Sequence, residues 1–177
     1  MNIGIIGGTG GMGNGFAIRW CKNHNVVLGS RDAERANASA QEYTELTKEA
    51  YGDVNGNITG ADNVTVAKQA DVLVLSIPYE NIDSICSELL PQINDNCVVV
   101  SPIVPMTKTD TGFECVAIKE NKPFSHQTVE KHMKDKSKLV SAFHVISEKK
   151  LVNPTLELDY DIFVAGDSKE SVGVVNE

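Results

Sequence analysis

A short apolar run, Asn2-Ile3-Gly4-Ile5-Ile6, leads directly into Gly7-Gly8-Thr9-Gly10-Gly11-Met12-Gly13 at the start of the chain. Gly8, Gly10 and Gly13 fit the spacing G-x-G-x-x-G, and Ala17, Ile18 and Cys21 follow at helical spacing rather than alternating. A strand that ends in glycines and opens a helix constrains the fold more than any other stretch here. With no side chains in the way, backbone N–H groups and the helix N-terminus can approach a dinucleotide's pyrophosphate closely. The spacing alone is a weak signal, but it stands in the strand–turn–helix context that the chemistry requires. The competing reading, a glycine-rich hairpin turn, fits the helical spacing after Gly13 poorly.

The rest of the chain keeps alternating short apolar runs with longer helical segments. Strands are expected near Ile3–Gly7, Asn25–Gly29, Asn57–Thr59, Val72–Ile77, Cys97–Ser101, Leu139–Phe143 and Asp161–Ala165. Helices are expected near Gly11–Lys22, Ala33–Tyr51, Ala61–Gln69, Tyr79–Leu90, Ser125–Asp135 and Glu148–Leu151. This is the α/β class: a Rossmann-type, doubly wound, mainly parallel sheet with helices on both faces. At 177 residues the chain suits one nucleotide-binding domain, over residues 1–166. Gly52-Asp53-Val54-Asn55-Gly56 reads as a turn-rich connection, and Pro102–Pro123, broken by three prolines, as a loop over the sheet. Residues 167–177 read as the start of a C-terminal helical segment, with Asp167 as N-cap and Glu170 completing a capping-box-like pair.

Composition excludes several function classes. The formal charge of −8 and the lack of a basic stripe argue against a nucleic-acid surface, so an anionic ligand must be held by local cations and backbone amides. No apolar run approaches the length needed to span a membrane. Cys21, Cys86, Cys97 and Cys115 lack C-x-x-C spacing and read as reduced residues of a cytoplasmic protein. His24, His126, His132 and His144 show no i,i+4 pairing, so no metal site is expected.

The second strand carries a second cofactor signal. It ends Val27-Leu28-Gly29-Ser30-Arg31, with Ser30 where an NAD site usually places the acid that binds the ribose 2′-hydroxyl. A hydroxyl followed by a guanidinium suits a 2′-phosphate, which Arg31 can pair with bidentately while stacking on the adenine. Arg35, one helical turn on, can reach the same place, whereas Asp32 begins the helix. The alternative is that Arg31 and Arg35 are merely solvated residues of the first turn.

Ligands of an open parallel sheet lie outside the carboxyl ends of the strands. Beyond Gly7 and Ser30, those ends read Ser76-Ile77-Pro78-Tyr79, Ser101-Pro102-Ile103-Val104-Pro105 and Ala142-Phe143-His144-Val145-Ile146. They are small, apolar and conformationally fixed, without a carboxylate pair or a Ser-His-Asp order. That suits hydride transfer between two bound rings, where positioning and exclusion of water matter more than acid–base catalysis. His144 is the polar group expected to donate to a carbonyl or ring nitrogen, against the alternative of a satisfied core histidine.

Together these motifs resemble the F420-dependent NADP oxidoreductases, deazaflavin enzymes of methanogens and related archaea with counterparts in some bacteria. The likeness runs in order through Ile5-Ile6-Gly7-Gly8-Thr9-Gly10, Gly29-Ser30-Arg31, Leu75-Ser76-Ile77-Pro78 with Tyr79, and Val100-Ser101-Pro102-Ile103-Val104-Pro105. It continues through Val140-Ser141-Ala142-Phe143-His144-Val145-Ile146 and Val164-Ala165-Gly166-Asp167. The resemblance implies methanogenesis-linked hydride exchange between NADP(H) and coenzyme F420, by stacking of the two rings without covalent catalysis. It implies that Gly8, Thr9, Gly10, Gly11, Met12 and Gly13 hold the pyrophosphate and that Ser30, Arg31 and Arg35 bind the 2′-phosphate. Ser76, Pro78, Tyr79, Pro102 and Val104 would line the nicotinamide region, and His144 and Ile146 would set the approach of the rings. Family members continue past Gly166-Asp167 into a helical element that helps bind the deazaflavin and build a homodimer; residues 167–177 are expected to be only its truncated start, with a homodimer expected where the full segment is present.

Two other readings remain open from the residues. One is a different NADPH reductase on the same sheet, ferric-reductase-like or pyrroline-carboxylate-reductase-like; the other is a non-catalytic NADP-binding module. A short-chain dehydrogenase is set aside, because none of Tyr43, Tyr51, Tyr79 and Tyr160 has Lys four residues later.

Overall fold

In the computed structural model, which describes residues 1–116 and 122–177, strands and helices alternate from the start of the chain. β1 (Asn2–Ile6), α1 (Gly11–Trp20), β2 (Asn25–Ser30), α2 (Ala33–Tyr51), β3 (Ile58–Asp62) and α3 (Asn63–Gln69) form the first half. β4 (Val72–Leu75), α4 (Ile82–Leu89), β5 (Val98–Ser101), the hairpin β6 (Met106–Thr109) and β7 (Gly112–Cys115), and α5 (Ser125–Glu130) follow. The chain closes with β8 (Leu139–Ser141), α6 (Glu148–Leu151), β9 (Ala165–Gly166) and α7 (Lys169–Asn176). The main sheet has the order β3-β2-β1-β4-β5-β8-β9, parallel throughout except for antiparallel β9. Chain order reverses between β1 and β4, so the crevice of a doubly wound sheet opens at their carboxyl ends.

Burial on both faces explains why the central strands are continuously apolar. In β4, Val72 and Val74 join one core with Phe16, Ala17 and Ile18 of α1 and Ala40 and Tyr43 of α2. Leu73 and Leu75 join the other, with Val66 of α3, Ile82, Cys86 and Leu89 of α4, and Val129 of α5. Cys21, Cys86 and Cys97 are buried free thiols, and burial pushes the Cys86 and Cys97 thiols up to about 12. Thiols held so firmly protonated are poor nucleophiles, which leaves them to packing. Among the described residues no helix is long and apolar enough to cross a membrane.

Several boundaries differ from the sequence reading for local reasons. β3 runs on to Asp62, whose carboxylate then caps α3 by accepting from the Thr65 N–H (2.9 Å) and the Thr65 hydroxyl. These bonds hold the Asp62 carboxyl below the usual carboxylate range. Within Pro102–Pro123 the chain forms the β6–β7 hairpin rather than an irregular loop, with Met106 opposite Cys115 and Thr109 opposite Gly112. The part of that stretch at 117–121 lies outside the described residues. The strand expected over Asp161–Ala165 shrinks to Ala165–Gly166, where Ala165 and Gly166 find Ser141 and Val140 to pair with. The last helix is capped by Ser168, whose hydroxyl accepts from the Ser171 N–H, one residue later than expected.

Candidate active site

The turn after β1 has no room for side chains. Gly7 has φ +77°, and a β-carbon there would collide with the carbonyl oxygen of Ser76 on the neighbouring strand end. The Gly8 N–H is used inside the turn, donating to the carbonyls of Ile5 (3.1 Å) and Gly29 (3.2 Å). Gly13 brings α1 against the turn: a β-carbon there would lie 2.6 Å from the Gly8 Cα. Gly8 and Gly13 therefore face the interior of the turn, with Thr9 half-buried between the glycines. Gly10, Gly11 and Met12 face the crevice.

The first hydrogen bond of α1 runs from the Asn14 N–H to the Gly10 carbonyl, at 2.8 Å. Gly10 is the N-cap and offers no side chain, and the first turn contains no acidic residue. The amides of Gly11, Met12 and Gly13 thus form the positive end of a ten-residue helix without an internal anion. The carboxylate of Glu148, from the start of α6, lies against Gly11 in the space a β-carbon would occupy. On the same helix Arg19 donates from Nε to the Leu151 carbonyl (2.9 Å) and from Nη2 to those of Asn153 (2.6 Å) and Leu156 (2.9 Å). One guanidinium thereby fastens α1 to the segment that follows α6.

At the carboxyl end of β2, the Ser30 Oγ accepts from the Asp32 N–H (3.2 Å). Asp32 accepts from the Glu34 and Arg35 N–H groups and is the N-cap of α2. Its carboxylate is occupied there, whereas Arg31 and Arg35 are exposed beside Ser30. The sequence reading missed Asn63. Its Oδ1 is buried without a hydrogen-bond partner and lies 2.8 Å from where a Gly29 β-carbon would be. Nothing in the spacing points to it, since only the β2–β3 register brings Asn63 over Gly29.

The crevice broadens over the ends of β1, β4, β5 and β8 into a cleft of about 870 Å³. It brings together Ser76, Pro78, Tyr79, Pro102, Val104, His144 and Ile146 of the expected site, and leaves Ser30, Arg31 and Arg35 outside its rim. The Tyr79 hydroxyl donates to the Pro123 carbonyl and so anchors the far end of the 102–123 stretch. Met106 and Phe113 of the hairpin also line the cleft and are well exposed, Phe113 at 68%. Their alternation within a proline-flanked stretch was the signal that could have found them.

His144 owes its direction to an unusual residue before it. Phe143 has φ +68°, the one non-glycine residue with a positive φ among those described. The left-handed turn sends its ring down onto Phe16 and Trp20, with centroids 5.4 and 5.6 Å away, and leaves His144 facing the cleft. The Ile146 N–H closes the turn onto the Phe143 carbonyl at 3.3 Å. Partial burial, and then the nearby His126, hold the His144 pKa below the ordinary histidine value. That direction favours the neutral imidazole, and as an exposed residue facing the cleft His144 is not a satisfied core histidine.

A glycine-rich helix N-terminus at the sheet's switch point, leading into an apolar cleft, is the arrangement of a dinucleotide-binding domain. Residues 2–105 match the family model described as NADP oxidoreductase, coenzyme F420-dependent. The chain is 33% identical over 175 residues to the F420-dependent NADP reductase of Methanocaldococcus jannaschii, covering 99% of this chain and 77% of that protein. It is 28% identical over 179 residues to the enzyme of the same name from Methanothermobacter thermautotrophicus, covering 100% and 75%. A solved structure assigned as an F420-dependent NADP reductase of Arthrobacter sp. FB24 superposes with TM-score 0.72 at 18% identity, over 99% of this chain and 78% of that one, and shows the shared fold. The chain belongs to the F420-dependent NADP oxidoreductase family.

Proposed function

We propose that this chain moves a hydride directly between NADP(H) and coenzyme F420, with the two rings stacked in the cleft and no covalent intermediate. The observation that carries this reading is the continuity of the site. The α1 amides, with no acidic residue in their own first turn, lie at one end of the cleft, and at the other is an apolar wall of Pro78, Pro102, Val104 and Ile146. The residues present fit such a nucleotide. Gly11, Met12 and Gly13 offer amides to a pyrophosphate, Arg31 and Arg35 offer charge to a 2′-phosphate, and the orphaned Asn63 Oδ1 can accept from the adenosine half.

When bound, the reduced nicotinamide supplies the hydride that the deazaflavin ring accepts, so the protein needs no nucleophile. Its residues orient and shield. Pro78 and Pro102 fix the strand ends, Tyr79 buttresses one wall, and Ile146 sets how closely the rings approach. His144, neutral, donates an N–H to a ring carbonyl or nitrogen. Mixing the protein with NADPH deuterated at the transferring position and oxidised F420 is expected to bleach the visible deazaflavin absorbance and deliver the label to the deazaflavin. Bleaching with the label lost to water would overturn direct transfer, and tight NADPH binding without bleaching would favour a binding module.

Glu148 occupies ground that this reading gives to the pyrophosphate. Two anions at one helix N-terminus repel, so Glu148→Gln is expected to tighten NADPH binding about threefold. Unchanged or weaker binding in a fluorescence titration would show that the carboxylate turns away or holds a ribose hydroxyl instead.

A further inference from the structure

The sheet face covered by α5 carries a group of polar side chains directly behind the cleft. Ser101 on β5 and Ser141 on β8 are register partners, so their side chains leave the same face. They follow Val99 and Leu139 by two residues, and those pack with Val129 of α5 in one core. From α5, His126 Nδ1 hydrogen-bonds the Ser141 Oγ at 2.8 Å. Ser101 and Ser125 place two further hydroxyls there, both buried and without partners. An apolar core would be cheaper to build on this face, because each unpaired buried hydroxyl carries a desolvation cost.

We propose that His126, anchored by Ser141, is a positioning residue for His144: it pins the end of β8 from which His144 projects and presents a second imidazole to it. Ser141 lies three residues before His144, with the left-handed Phe143 between them, so the anchor and the cleft-facing ring sit on one short rigid segment. Burial first, and then positive charge on His126, oppose protonation of His144. The titratable groups at and just beyond the end of α5 are engaged elsewhere, Glu130 with Lys136 at 3.6 Å and His132 with Asp83 at 2.8 Å. The remaining charged groups lining the cleft are Glu80, Glu148 and Lys149. Burial and then this pair hold the His144 pKa below the ordinary histidine value, which favours the neutral ring that can accept as well as donate. The proposal rests on the reading that His144 faces the reacting rings.

The test is an NMR titration of the imidazole C–H signals in the ligand-free protein, paired with single-turnover hydride transfer across pH. His126→Asn keeps a hydrogen-bonding group for Ser141 and removes the charge. Its His144 is expected to titrate at higher pH than in the wild type, and its transfer rate to fall several-fold under mildly acidic conditions while matching the wild type under alkaline ones. Ser141→Ala, which frees His126 without touching its charge, is expected to raise the KM for F420 at all pH values. An unmoved His144 titration in His126→Asn, with the far-ultraviolet spectrum intact, overturns the pairing. That result leaves the hydride reading standing, since the titration needs no ligand. Failure of F420 bleaching by the wild type overturns the hydride reading whatever the titration shows.

Discussion

Replacing Arg31 by alanine is expected to weaken NADPH binding roughly tenfold to a hundredfold and to leave NADH binding almost unchanged. The magnitude is that of losing one or two charge-assisted hydrogen bonds to a phosphate, about 1.5 to 3 kcal/mol, with 1.4 kcal/mol to each factor of ten. The selectivity follows from what surrounds Arg31. Asp32, next to Arg31, is spent on the Glu34 and Arg35 amides at the start of α2, and Asp62, the register partner of Ser30, on the amide and hydroxyl of Thr65. The end of β2 therefore offers a hydroxyl and exposed guanidinium groups, which reward a phosphate and give a bare ribose little. Fluorescence titrations with both nucleotides decide the matter, and equal losses would sink the 2′-phosphate assignment. Asp32→Ala should cost about 1 kcal/mol of stability through the lost cap and leave the preference between nucleotides in place.

The second large effect is expected at Gly7. Alanine there must adopt φ near +77° and push its methyl into the Ser76 carbonyl, at the point where the Ser76 N–H bonds the Ile6 carbonyl at 2.9 Å. Backbone strain and the parting of β1 from β4 together cost roughly 3 kcal/mol or more, lowering the melting temperature by about 10 °C. Gly10 is the matched control. A β-carbon there meets nothing nearer than the Gly7 carbonyl at 3.4 Å, so Gly10→Ala should fold with nearly the wild-type melting temperature. It should nonetheless bind NADPH more weakly, because the methyl stands at the mouth of the turn where phosphate oxygens approach. If Gly7→Ala melts like the wild type, the turn is not as tightly built as described.

What was legible in the sequence was local. The glycine turn, the helical spacing after it, the cap at Asp32 and the apolar ends of β4 and β5 are all written within a few consecutive residues. Their positions in the fold follow from burial on two faces. The hairpin was harder, because Pro102, Pro105 and Pro123 dominate a stretch whose alternation through Met106–Thr109 and Gly112–Cys115 is only four residues on each side. Asp161–Ala165 has strand-like composition, yet Phe163 is 81% exposed, since pairing begins only where Ala165 reaches Ser141. Glu148 against Gly11, Asn63 over Gly29 and His126 on Ser141 are contacts between distant segments, and no spacing rule encodes them. His144 was visible as a residue, but not the reversed backbone at Phe143 that aims it.

Arg19 determines which side of the cleft can yield. By donating to the carbonyls of Leu151, Asn153 and Leu156 it ties the helix that opens at the glycine turn to the end of α6 and the residues after it. The opposite jaw is a two-stranded hairpin that pairs only with itself among the described residues, an arrangement with little stability of its own. On the proposed reading tolerance is therefore expected to be lopsided, with alterations to the nucleotide resisted more than changes to a ring placed beside Phe113 and Met106.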